Sequence, residues 1–86
     1  MFEIKFEKEK NRAVALEQML VVGKCEYIVL ADKWNIIHTE VNPNYQGKGI
    51  ARKLVECVIK NAKIDNKKVV ADCSYAKKII EKNNHS

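Results

Sequence analysis

Tyr45-Gln46-Gly47-Lys48-Gly49-Ile50-Ala51-Arg52-Lys53 is the stretch on which the fold turns. Before it the apolar residues alternate, and after it they return every three to four positions. Gly47 and Gly49, two apart, let the backbone turn tightly and come close to a ligand with no Cβ in the way. A helix that begins here supplies unpaired backbone N–H groups and the positive end of its dipole, which together make an anion site. Lys48, Arg52 and Lys53 add cations at the helix end where each is ordinarily unfavourable by about 0.3–1 kcal/mol. A bound polyphosphate would neutralise both the cations and the dipole. Plain turn chemistry with solvated basic side chains is the competing explanation. The spacing is not a Walker loop, because no Gly-Lys-Ser/Thr ending follows, and not a dinucleotide fingerprint, because the third glycine is missing.

Downstream, Leu54, Val55, Val58, Ile59 and Ala62 define one face of an amphipathic helix from about Gly47 to Lys63. Asp65-Asn66-Lys67 ends it, and Lys68–Cys73 reads as a short buried strand. A terminal helix is expected from Ser74 as N-cap, burying Ala76, Ile79 and Ile80, with Glu81–Ser86 fraying. Upstream, Phe2, Ile4 and Phe6 alternate with charged residues, as in a half-buried strand. Lys8-Glu9-Lys10-Asn11 is a polar turn, and Ala13–Glu17 is extended again. A turn near Val22-Gly23-Lys24 then precedes strands at Glu26–Ala31 and Trp34–Val41. The order β-β-β-β-α-β-α predicts an α+β fold with a mixed, mostly antiparallel sheet. The strands at Trp34–Val41 and Val69–Cys73 would be its parallel pair, joined by a right-handed helical crossover.

The 86 residues suffice for one domain, residues 1–86. No apolar run approaches the roughly 20 residues of a membrane span, and the N-terminus alternates where a signal peptide would be continuously apolar, so a cytoplasmic protein is expected. Cys25, Cys57 and Cys73 are odd in number with no Cys-x-x-Cys pair, which suits neither a disulfide framework nor a thiolate zinc site. Reduced thiols and no metal are the expectation. The net charge of +5 points to an anionic partner, either nucleic acid or a phosphorylated cofactor. Nucleic acid is the weaker choice: aromatic residues make up 7% of the chain, they are not interleaved with basic ones, and the charge reads as spread along the sequence.

Gln46-Gly47-Lys48-Gly49-Ile50-Ala51 resembles the Gln/Arg-x-x-Gly-x-Gly/Ala signature of the GNAT acetyltransferases, and Val41-Asn42-Pro43 resembles the Val-x-Pro that often precedes it in that family. With His38-Thr39-Glu40-Val41 upstream and Cys73-Ser74-Tyr75-Ala76 downstream, the chain from Asn11 onward is similar to the small, stand-alone GNAT-like proteins. The resemblance implies a reduced GNAT fold with acetyl-coenzyme A lying where two parallel strands splay apart. It implies contacts to that molecule from Val41, Gln46, Gly47, Lys48, Gly49, Ile50, Ala51 and Arg52. Fuller relatives carry extra N-terminal helices and C-terminal strands at the acceptor side, and this sequence has neither, so the acceptor side is expected to be open.

Two residues are candidates for the chemistry. Cys73 ends a predicted strand, the usual place for ligand contacts in sheets with parallel strands, and precedes a helix whose first turns carry Lys77 and Lys78, a setting that favours thiolate. An inert, packed cysteine is the commoner fate of a free thiol; the resemblance implies a cysteine that faces the acetyl group. His38 would share a face with Ile36 and Glu40 if its strand were regular. The resemblance implies a histidine near that cysteine, as base to its nucleophile or as base to an incoming amine. Glu40 is a further candidate base. Tyr75 is expected against the cofactor or the core, Trp34 in the core, and Cys25 and Cys57 as packing residues. The functional expectation is an acetyl-coenzyme A-dependent N-acetyltransferase acting on an amine of unknown identity, either through an acetyl group carried on Cys73 or by direct attack. An acetyl-coenzyme A-binding module with little turnover shares the same site and is the alternative.

Overall fold

The structure is a computed structural model, and it describes residues 2–84. Seven elements follow in the order expected: β1 (Glu3–Glu7), β2 (Arg12–Glu17), β3 (Leu20–Val29), β4 (Lys33–Val41), α1 (Ile50–Ile64), β5 (Lys68–Ala71) and α2 (Ser74–Asn84). The five strands form one sheet in sequence order, antiparallel except for the parallel pair β4–β5. The α+β class and the mixed, mostly antiparallel sheet are as the sequence predicts.

Strand alternation decides what the helices cover. Ile4 and Phe6 pair with Ala15 and Ala13, which pair in turn with Gly23 and Cys25, so one face of β1–β3 is a continuous apolar strip. Onto that face α1 lays Ile50, Leu54, Val55, Val58, Ile59 and Ala62, all buried. Ala76 and Ile79 of α2 belong to the same core, so both helices lie on one side of the sheet. Trp34 is buried at the centre of an aromatic stack, its ring 4.3 Å from Tyr27 and 6.0 Å from Phe6. The opposite face carries Lys5, Lys24, Glu26, His38 and Glu40, with no element packed over it among the described residues.

Helix α1 ends as its sequence requires. Asn66 takes a left-handed conformation at φ 59°, while the Lys67 amide donates to Ala62 and the Asn66 amide to Lys63. This pair of bonds caps the last carbonyls, and asparagine is the residue after glycine that tolerates the geometry. Lys8, in a short 3-10 turn between β1 and β2, reaches Asp65 at 2.9 Å and ties the helix end to the first hairpin.

Several boundaries differ from expectation. The turn predicted at Val22-Gly23-Lys24 lies instead at Gln18-Met19, both at positive φ (50° and 71°), and Gly23 is inside β3. The glycine is there because α1 crosses the strand at this point: a Cβ on Gly23 would stand 3.2 Å from Leu54 Cδ1 and 3.4 Å from Ile50 Cγ2. Helix α1 begins at Ile50, three residues after the predicted Gly47, since Gly47 and Gly49 hold positive φ (83° and 76°). Strand β5 stops at Ala71, before Cys73. Ser74 is already helical, and it is the carbonyl of Cys73 that accepts the first bond, from Lys77 at 2.9 Å. Helix α2 continues through Glu81 to Asn84 where fraying was expected; His85 and Ser86 lie outside the described residues.

A further correction concerns β4. Its register with β3 shifts where Glu26 opposes His38 but Tyr27 opposes Ile36, leaving Ile37 as the extra residue of a bulge. The shift reverses the alternation. Trp34 and Ile36 face the helices, whereas His38 and Glu40 point to the uncovered face, and Thr39 follows Cys25 inward. His38 therefore does not share a face with Ile36.

Candidate functional site

The bulge coincides with a second change in β4. Pairing with β5 runs from Lys33↔Lys68 to Ile36↔Ala71, and the amides of Asp72 and Cys73 both turn back to the Ile36 carbonyl (3.0 and 3.4 Å). Past that point the two strands part, and the β4 edge from Ile37 to Val41 has no strand beside it. A cleft of about 570 Å³ fills the gap, lined by Thr39, Glu40 and Val41 on one side, Tyr45, Gln46, Gly47, Gly49, Ile50 and Ala51 at its head, and Tyr75 of α2 opposite. An edge of this kind offers backbone N–H and C=O groups to an extended ligand.

The head of the cleft is built to receive anions. Asn42 begins the loop by accepting the Asn44 amide on its side chain (2.9 Å) and donating its own amide to Val22 (2.7 Å), and Pro43 fixes the first turn. The chain then rises through Gly47 and Gly49 with nothing within 4 Å of either missing Cβ. These glycines answer to backbone conformation, not to crowding. Helix α1 has no side-chain cap and no acid in its first turn. Among the described residues no protein acceptor meets the amides from Gly47 to Arg52. Consecutive free amides at a helix start, without a competing carboxylate, fit a di- or polyphosphate. The residues present therefore suit the coenzyme A pyrophosphate.

The basic side chains are arranged less simply than the sequence suggests. Lys48 extends over the Tyr45 ring at 5.5 Å, and Arg52 bonds Glu56 at 3.4 Å. Lys53 turns away to the Phe2 ring at 5.1 Å, off the loop altogether.

Of the residues singled out in the sequence, Val41, Gln46, Gly47, Gly49, Ile50 and Ala51 line the cleft. Lys48 and Arg52 flank it without lining it. Cys73 sits where β4 and β5 part, half-buried against the core. His38 stands on the uncovered face with its Nε2 3.3 Å from Glu40 Oε2. No hydrogen bond or ion pair joins His38 to Cys73 among the described residues. Thr39 and Tyr45 line the cleft without having been anticipated. The signal for Thr39 is the bulge, which turns it inward where a regular strand would turn it out. Tyr45 is fixed by the Asn42-Pro43 turn, its amide bonded to the Asn42 carbonyl at 2.8 Å.

The electrostatics separate the exposed groups from the buried ones. The hydrogen bond from His38 holds the Glu40 carboxyl below the usual carboxylate range, with Lys24, 3.6 Å from Oε1, assisting. Beneath the cleft wall, burial pushes the Cys25 thiol up to about 11, although Thr39 Oγ1 donates to its Sγ at 3.5 Å. Burial also raises Cys57. A carboxylate that stays ionised at the cleft rim is suited to bonding a protonated amine; a thiol like Cys25 is suited only to packing.

Comparison with known proteins adds to this geometry. The family model of the GCN5-related N-acetyltransferases matches residues 2–86. A GCN5-like protein of Staphylococcus aureus, solved in solution, is 29% identical over 96% of this chain and 81% of its own, with a TM-score of 0.72. A GCN5-related N-acetyltransferase of Sphaerobacter thermophilus is 25% identical over 72% of this chain, at a TM-score of 0.68; the match spans only 21% of that protein's length. A predicted acetyltransferase of Clostridium acetobutylicum, solved with acetyl-CoA, shares the fold at a TM-score of 0.63 with 18% identity, over 84% of this chain and 55% of its own. No curated protein matches the sequence. No helix among the described residues is long and apolar enough to cross a membrane.

Proposed function

The chain belongs to the GCN5-related N-acetyltransferases, and from that premise we propose that it binds acetyl-CoA in the β4–α2 cleft and transfers the acetyl group to an amine. The observation that carries this is the run of free amides from Gly47 to Arg52 at the head of a cleft whose wall is the unpaired edge of β4. The Clostridium protein of the same fold holds acetyl-CoA, which supports the choice of ligand.

In this reading the amides of Gly47–Arg52, with Lys48 and Arg52 beside them, hold the pyrophosphate. The Thr39–Val41 edge aligns the pantetheine amides, and Gln46, Ile50 and Ala51 complete the contacts. The thioester then lies toward the point where the strands part, beside Cys73. The amine nitrogen attacks the thioester carbonyl, the C–S bond breaks, and coenzyme A leaves as its thiolate, which takes a proton from solvent. His38, bonded to Glu40 at the rim, takes the proton the amine sheds. Cys73 orients the thioester or accepts the acetyl group first. The missing link between His38 and Cys73 favours direct attack, since a nucleophilic thiol needs a base within reach. We place its work in the cytoplasm, one of the compartments in which acetyl-CoA is made and used.

A titration of labelled protein with acetyl-CoA, followed by backbone amide shifts, tests the binding. Saturable shifts confined to Gln46–Ala51, Val41 and Cys73 are expected, and no response at millimolar ligand removes the proposal. Turnover with a simple amine separates an enzyme from a module that only holds acetyl-CoA. Mass spectrometry after a quench decides the route: direct attack predicts no acetyl adduct on Cys73.

A further inference from the structure

The cations of this protein are not evenly spread: of the nine residues from Lys60 to Lys68, four are lysine and one is acidic. That acid, Asp65, is already engaged by Lys8 at 2.9 Å. Lys63, Lys67 and Lys68 rim a groove of about 420 Å³ along β5, walled by Ile59 of α1, Ile80 of α2, Val69 and Val70. The groove shares no residue with the cleft. Lys33 faces Lys68 across the β4–β5 ladder, and no carboxylate pairs with either among the described residues. Like charges in facing positions work against a sheet, so the stability of the fold does not account for them.

The backbone of β5 gives the groove its second property. The strand is the last of the sheet, with β4 on one side and no strand on the other among the described residues. The amides of Lys68 and Asp72 donate to the carbonyls of Asp32 and Ile36, at 3.4 and 3.0 Å. By the alternation of a parallel ladder, Val69 and Ala71 turn their N–H and C=O groups outward. Such an edge is a template for a further strand. Lysine on an edge ordinarily keeps other strands away. Here three of the four residues of β5 are apolar, and the lysines gather at one end of it. That combination repels a basic strand and admits an acidic one. Nucleic acid fits less well, since no aromatic side chain lines the groove to stack a base.

We propose that the outer edge of β5 docks an extended polypeptide segment in which acidic and apolar residues alternate. Its backbone pairs with the outward groups of Val69 and Ala71. Because side chains alternate across a strand, one set enters the slot between Ile59 and Ile80 on the helix side. The other set lies on the uncovered face, where Lys33 and Lys68 meet its carboxylates. Lys63 stands at the lip of the slot and adds to the attraction. The partner is thus a protein that exposes a strand of this pattern, and it is held independently of any ligand in the cleft.

The test titrates the whole chain with a short blocked peptide of alternating glutamate and valine, and follows amide hydrogen exchange residue by residue. Bound peptide should slow exchange at Val69 and Ala71 and leave β1, at the opposite edge of the sheet, unchanged. Lys63→Gln/Lys68→Gln should weaken binding by about tenfold or more. Lys5→Gln/Lys10→Gln removes the same charge from exposed positions at the far edge and should leave affinity within a factor of about two. A peptide of alternating lysine and valine should not bind. N-methylation of the acidic peptide at alternate residues should abolish binding in one phase only, the one that turns its amides to β5. Binding that leaves exchange at Val69 and Ala71 unchanged is charge attraction alone and overturns the proposal. Equal losses in the two lysine pairs, tighter binding of a single-stranded oligonucleotide than of the acidic peptide, or no response at millimolar peptide would overturn it as well.

Discussion

The two halves of β4 are built to different ends. From Trp34 to Ile36 the strand is paired on both sides, and Trp34 and Ile36 are buried under the helices. From Ile37 to Val41 it keeps only β3, and its free edge becomes the wall of the cleft. One extra residue at the Ile37 bulge separates the halves. The first half is made of packing, in which the side chain determines the outcome. The second is made of backbone, in which conformation and exposed amides do. A single strand thus carries both the stability of the molecule and its candidate site, and substitutions should sort accordingly.

The largest effect belongs to the first half. Ile36→Ala deletes a fully buried side chain of the core cluster that α1 covers and should cost about 2–5 kcal/mol. For a chain of this size that is a large part of the total, so urea denaturation should find the variant mostly unfolded. Thr39→Ala, three residues on, loses only a weak contact to the Cys25 sulfur and should cost no more than about 1 kcal/mol. Comparable losses at the two positions would mean that the halves are not distinct.

Glycine gives the next contrast. Gly23→Ala places a Cβ 3.2 Å from Leu54 Cδ1 and 3.3 Å from the Glu40 carbonyl, a crowding cost of about 1–3 kcal/mol. Gly49→Ala meets nothing within 4 Å but must hold φ at 76°, a conformational cost of about 1–2 kcal/mol. The two causes are told apart by asparagine, which tolerates the left-handed region. Gly49→Asn should recover part of what Gly49→Ala loses in thermal denaturation, whereas Gly23→Asn should be worse than Gly23→Ala. If Asn fails to help at position 49, crowding operates there as well.

These same places mark the limit of what the sequence discloses. The element order, the α1 core face and the glycine loop could be read because each repeats a period or uses a residue with one conformational meaning. Gly23 misled because a glycine needed for close approach looks like one needed for a turn. The true turn, at Gln18-Met19, carries neither Gly, Asn nor Asp, although both residues adopt positive φ. The bulge at Ile37 has no local signature, since it arises from the mismatch of two strands. It nonetheless turned His38 to the uncovered face and brought Thr39 into the cleft. The directions of Lys53 and Arg52 were equally hidden, as they depend on Phe2 and Glu56.

Thiol chemistry sharpens the comparison further. Cys25 packs behind the cleft wall with its thiol pushed up to about 11 by burial, while Cys73 is half-buried at the parting of the strands. At pH 8 a disulfide reagent should modify Cys73 many times faster than Cys25, which should react only as the protein unfolds. Cys25 also sets an alkaline limit. Its folded value lies above the unfolded one, so its contribution is complete below about pH 9 and is lost as pH rises toward 11. Cys25→Ala should flatten that part of the stability profile; an unchanged alkaline slope would assign the loss elsewhere.

The smallest effect lies on the uncovered face, and it separates an electrostatic pair from a structural one. Glu40 owes most of its lowered carboxyl to the hydrogen bond from His38, and less to Lys24. His38→Ala should therefore move the Glu40 midpoint upward in a side-chain carbon titration, and Lys24→Gln should move it less. Because the folded value lies below the unfolded one, the pair contributes above the ordinary carboxylate pKa and loses that contribution on acidification through the folded value. Both groups are half-exposed or more, so solvent screening keeps the effect on folding too small for a denaturation curve to resolve. A charge arrangement that titrates measurably yet adds nothing measurable to the fold is under no structural constraint to exist. If His38→Ala instead unfolds the protein, the second half of β4 is holding the molecule together after all, and the division at the bulge disappears.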